Sequence, residues 1–132
     1  MDALDTVIFT SEKFKPVLPD DCQVNPGRYG AELAYWLCIR LAEMNVITSY
    51  PNYEDWGWYL DYTNEAGEEF RLCCGNVDGG DVQWQCFVEP LSKGFLKGKA
   101  DIASASQLMD ALNTILRNTE GVSDIEWTRE SN

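Results

Sequence analysis

Three carboxylates and four aromatic rings share nine consecutive residues, Glu54-Asp55-Trp56-Gly57-Trp58-Tyr59-Leu60-Asp61-Tyr62. Paired carboxylates can serve as acid and nucleophile on a glycosidic bond, and indole faces stack on sugar rings. On a protein surface the same groups anchor and steer a basic partner. Read at strand period, Trp56, Trp58, Leu60 and Tyr62 point one way, and Gly57, Tyr59 and Asp61 the other. The plainer reading is that the rings are core and the acids a solvated strand end. Glu54 and Asp55 are adjacent, so on a strand they point to opposite faces and are poorly placed to serve one bond together. The candidate binding residues are Tyr53, Glu54, Asp55, Tyr59, Asp61 and Glu69; none is assigned a catalytic or metal-ligating role.

The chain has no histidine, which removes Ser-His-Asp and Cys-His catalysis and histidine-ligated metal sites. Its five cysteines, Cys22, Cys38, Cys73, Cys74 and Cys86, are odd in number and include no Cys-x-x-Cys pair. Free thiols are expected, with Cys38 and Cys86 in the core, Cys22 exposed, and only one of Cys73 and Cys74 in the core. No phosphate-binding glycine motif occurs, and the basic loop at 93–99 reads as solvated. Asn76-Val77-Asp78-Gly79-Gly80-Asp81 has the opening of a calcium loop, but Phe87 stands where the closing glutamate belongs, so a hairpin turn explains it. No cofactor is expected.

Twenty-two acids against ten bases give a net charge of −12, which disfavours nucleic acid and anionic lipid. Residues 54–89 hold nine acids and one base, Arg71, and so eight of the twelve net charges. That imbalance serves solubility, or faces a basic protein. The 132 residues suit a single domain, no apolar run is long enough to cross a bilayer, and the first residues do not resemble a signal peptide. A cytoplasmic protein, monomer or homodimer, is expected.

The elements that must position these residues follow from periodicity. A first strand lies at 6–10, followed by an irregular connection around Pro16, Pro19 and Pro26. Leu33, Leu37 and Leu41 with Ala34 and Cys38 predict a helix over about 30–44, stopped at Asn45. An extended segment at 46–50 ends at Pro51. Strands at 56–63, 69–75 and 82–88 form an antiparallel meander that Pro90 ends. Ser104-x-x-Gln107 has the form of a capping box opening a second helix over about 105–118, and Ile125 and Trp127 offer an optional last strand. The fold class is α+β, one two-layer domain with a meander sheet of four to six strands carrying both helices on one face. Should the Trp56, Trp58 and Trp84 side meet the helices, Tyr59, Asp61, Arg71, Gln83, Gln85 and Phe87 make the opposite face.

The best-supported expectation is a non-enzymatic acidic domain that binds a basic protein. In surface character, not in motif, it is similar to immunity proteins of bacterial toxin systems and to antitoxin-like inhibitors. The alternatives are a carbohydrate or small-ligand binder using the Trp-rich strand, and a carboxylate-based hydrolase.

Overall fold

Apolar residues at alternate positions along each strand, and at every third or fourth position along each helix, converge on one layer. The computed structural model describes residues 4–92 and 101–129. The strands are β1 (Thr6–Ser11), β2 (Asn52–Glu54), β3 (Gly57–Thr63), β4 (Glu69–Asn76), β5 (Gln83–Ser92) and β6 (Val122–Thr128). The helices are α1 (Ala31–Glu43), between β1 and β2, and α2 (Ser106–Arg117), between β5 and β6. All pairings are antiparallel, in the order β2-β3-β4-β5-β1-β6. The architecture is α+β, one six-stranded sheet with both helices on one face.

Val7 and Phe9 of β1, Leu60 and Tyr62 of β3, Phe70, Leu72 and Cys74 of β4, and Trp84, Cys86 and Val88 of β5 form that face. Against it α1 presses Leu33, Leu37 and Leu41, and α2 presses Leu108, Leu112 and Leu116, all fully or almost fully buried. Each such side chain contributes about 1.5–3 kcal/mol by leaving water. Trp84 lies at the centre, wholly enclosed, its indole N–H donating to the Ser11 carbonyl at 2.9 Å. Phe14, just past β1, packs edge-on against both Phe9 and Trp84, at 6.4 and 6.1 Å between ring centres.

The stop of α1 is as expected. Asn45 takes φ 64°, its N–H donates to the Ala42 carbonyl, and the Val46 N–H reaches back to Leu41. This is a Schellman closure with asparagine in the left-handed position. The start of α2 differs from expectation. Ser104 lies inside a 3₁₀ turn, Ile102–Ala105, that precedes the helix, and the Asp101 carboxylate accepts from the Ala103 N–H at 3.2 Å. The orphan donors are thus met one turn earlier, and Ser104 makes no capping box.

Three strand boundaries also moved. Residues 46–50 make only an isolated bridge, Thr48 to Tyr62, and pairing resumes beyond Pro51 as β2. Pro90 does not end β5, because it lies where the register with β4 shifts between Glu69 and Phe70. The Val88 N–H donates to the Asp5 carbonyl, so the Pro90 nitrogen, two residues on, points to the same side but past the start of β1. A missing donor costs nothing there. Trp56 is not in β3; it occupies the two-residue turn between β2 and β3 with Asp55. The 93–99 loop lies outside the described residues.

Replacing Trp84 with Phe removes one buried hydrogen bond and leaves a gap in a close-packed core. Unfolding free energy should drop by about 2–4 kcal/mol, seen as a lower urea midpoint with unchanged slope.

Candidate functional site

The face of the sheet turned away from the helices carries most of the chemically capable residues. The strand registers arrange it in rows. Glu54 lies opposite Gly57, and Gly75 opposite Gln85; a β-carbon on Gly57 would stand 3.8 Å from the Gly75 Cα, which joins the four in one row. The next row runs Asn52, Tyr59, Cys73, Phe87, Thr6, and the next Asp61, Arg71, Glu89.

The middle row is aromatic and dry. Tyr59 is only 7% exposed and Cys73 is fully enclosed, though neither faces the helices. Trp56 leans over this row from its turn, its ring centre 6.2 Å from Tyr59 and 6.0 Å from Phe87, and stays 41% exposed. The alternation had placed Trp56 with Trp58 and Trp84. A turn residue is not bound by strand period, and this one projects to the opposite face. Covering by these rings also explains why Cys73 and Cys74 are both buried, although only Cys74 belongs to the main core. Burial pushes the Cys73 thiol well up, with the neighbouring Cys74 and Glu89 adding to it, so it is no ready nucleophile.

Arg71 places its guanidinium 3.9 Å from the centre of the Tyr59 ring and 3.2 Å from the Asp61 carboxylate. Burial opposes its charge, but the hydrogen bond to Asp61 and that residue's charge together outweigh this and hold its pKa above the usual value. Glu54, Asp55, Glu69 and Glu89 form no ion pair among the described residues.

The six candidate residues are therefore divided. Glu54, Tyr59 and Asp61 share the outer face, and Asp55 sits exposed in the turn beside Trp56. Tyr53, opposite Trp58, lies on the helix side of the edge strand, its ring 5.6 Å from that of Trp58. Glu69 shares the outer face but pairs with Thr63, six residues along β3 from Gly57, so about 20 Å from the Glu54 row. Glu54 and Asp61 are four residues apart in the same sense, about 13 Å, beyond the roughly 5–9.5 Å that glycosidase carboxylate pairs use. Glu89, in line with Asp61 across Arg71, was not singled out by sequence reasoning, nor were Gly75 and Asn76. Glycine inside an otherwise apolar strand was the available signal for Gly75.

The long loop after β1 closes one end of this face. Asn76, at the end of β4, accepts from the Tyr29 N–H at 3.0 Å and donates to the carbonyls of Gly27 and Gly80 at 3.0 and 2.7 Å. Asn25 donates to the Glu54 carbonyl, and the Tyr29 hydroxyl to Asp20 at 2.7 Å. No cluster of acids and thiols suited to hold a metal occurs among the described residues, and no helix there is long and apolar enough to cross a membrane. No family model, no curated relative and no solved structure matches this chain.

Two outcomes follow for the loop. Asn76→Ala removes three hydrogen bonds at once and should cost about 1–3 kcal/mol, with faster amide exchange at Tyr29 as the local sign. The Tyr29 phenol is held above its usual 10.0, first by its hydrogen bond to Asp20 and then by burial and the charges of Asp20 and Asp81. A raised folded-state value favours the neutral phenol, so the tether is fully present below pH 10 and lost as pH climbs through the raised value. An NMR titration of the Tyr29 ring that gave a value below 10 would contradict this.

Proposed function

We propose that this chain is a non-enzymatic, acidic protein-binding domain whose β2–β3 hairpin and adjoining outer sheet face receive a basic partner. One observation carries the reading. Trp56, a large exposed indole, stands in a turn beside Glu54 and Asp55, two exposed carboxylates without internal ion pairs among the described residues. Exposed aromatics supply interface anchors, and unneutralised acids raise the rate of encounter with Lys- and Arg-rich surfaces. β2 is also a three-residue edge strand, exposed throughout, and Tyr50 and Tyr53 broaden the exposed aromatic surface along it. An inhibitor of a basic enzyme or toxin, of the immunity-protein kind, needs a surface with these properties. The separation of Glu54 from Asp61 favours binding over a carboxylate hydrolase.

Affinity capture from source-cell lysate at low and high salt tests this, with Glu54→Lys/Asp55→Lys as the control. Those two positions are preferred to Asp61, whose reversal would also break its pair with Arg71. A basic protein should be retained at low salt, released at high salt, and bound at least about tenfold more weakly by the charge-reversed variant. Capture that ignored both changes would sink the reading. Indole fluorescence that then responded to glycans would favour a sugar-binding face instead.

A further inference from the structure

A glycine in the outer face leaves a gap. Gly75 sits where β4 would otherwise project a side chain and leaves open floor there, whereas at the adjoining Gly57 the Cys74 carbonyl oxygen fills that space, 2.9 Å from where a β-carbon would stand. Trp56 and Phe87 stand along one side, and Gln85 continues the row beyond Gly75. The result is a depression of about 170 Å³ lined by Trp56, Cys74, Gly75, Asn76, Gln85, Phe87 and the exposed Arg28. Its scale is that of one large side chain.

Acceptors stand close to Gly75. The carbonyl oxygens of Trp56 and Tyr29 lie 3.9 and 4.0 Å from where a Gly75 β-carbon would stand. Neither accepts a loop or turn hydrogen bond among the described residues. The Gln85 amide makes no side-chain hydrogen bond there either, and Glu54 closes the row beyond Gly57. Two rows away the chain supplies its own example of what such a surface holds, the Arg71 guanidinium lying on Tyr59 of the row between and paired with Asp61.

We propose that this depression is the anchor pocket of the interface and takes an arginine side chain of the basic partner. The flat guanidinium would stack against Trp56 and Phe87, donate to the free carbonyls and to Gln85, and face Glu54. This rests on the reading of the chain as a binder of basic proteins and adds to it a specific site and residue type. Among the described residues that line the depression, Arg28 is the one cation and opposes such a guest, so its removal should strengthen binding.

The test is a titration with the blocked tripeptide acetyl-Gly-Arg-Gly-amide, followed by the NMR signals of the Trp56 indole N–H and the Gly75 amide. The citrulline analogue, equal in shape but uncharged, serves as comparison. Saturable shifts confined to the pocket are expected, with the citrulline peptide at least about tenfold weaker. Gly75→Val fills the floor; a first added carbon there meets only ordinary contacts, and no left-handed backbone forbids it. That variant should lose the shifts, Glu54→Gln should weaken binding, and Arg28→Ala should tighten it. Trp56→Ala, at an exposed turn, stands in should Gly75→Val not fold.

Shifts spread over the acidic surface without saturation would overturn the pocket, as would equal binding of arginine and citrulline. Undiminished binding by Gly75→Val or Trp56→Ala would do the same. If the peptide fails in these ways while the capture remains sensitive to salt and to Glu54→Lys/Asp55→Lys, the pocket alone is wrong. If the capture also ignores both, the binding reading falls with it.

Discussion

Two backbone segments press against a single carbonyl group, that of Cys74. A β-carbon on Gly30 or on Gly57 would stand 2.9 Å from that oxygen, closer than real side chains come. Glycine at both positions lets the start of α1 and the start of β3 meet the end of β4 at one point. The long loop, the β2–β3 hairpin and the central strands are thereby locked together. Asn76, two residues beyond Cys74, ties the loop to the same junction from the other side. The placement of Trp56, of the Glu54–Asp55 pair and of the bare floor at Gly75 all depends on this crowding.

The two faces of the sheet solve different problems. The helix side is an ordinary close-packed core in which Trp84 satisfies its one polar atom by reaching Ser11. The outer side has no covering layer among the described residues, yet Tyr59, Cys73 and Thr6 are almost shut from water there. Trp56, Phe87 and Arg71 form a thin roof that keeps the middle row dry while leaving acids free on both flanks. Such a face tolerates water, but its mixture of rings and unpaired carboxylates also suits a protein surface of opposite charge. The division of the acids matters as well. Asp61 is held by Arg71, whereas Glu54 and Asp55 at the hairpin form no ion pair among the described residues.

Much of this was legible from residue order. The stripe Leu33, Leu37, Leu41 gave the first helix, the alternation Phe70, Leu72, Cys74 and Val82, Trp84, Cys86 gave the meander, and Asn45 gave the helix stop. These are local regularities, set by backbone period and by which residues tolerate a left-handed turn. Period failed where a turn, a different cap or the edge of a neighbouring strand decided the outcome. Pro90 continues a strand because it lies past the start of β1, and Ser104 is no cap because Asp101 acts a turn earlier. Trp56 left the Trp58 face because the chain turns at Asp55.

The sequence by itself determined the class of fold, the faces of both helices, the absence of histidine chemistry and the acidic character of residues 54–89. It also named Glu54, Asp55, Tyr59 and Asp61, the residues nearest the site. Only the tertiary structure decided that Tyr53 and Glu69 lie apart from them, that Arg71 pairs with Asp61, and that a depression opens at Gly75 beside Trp56. Period and propensity act over a few residues, whereas strand register brings together positions that lie ten and more apart in the chain, as Asp61 and Arg71 do.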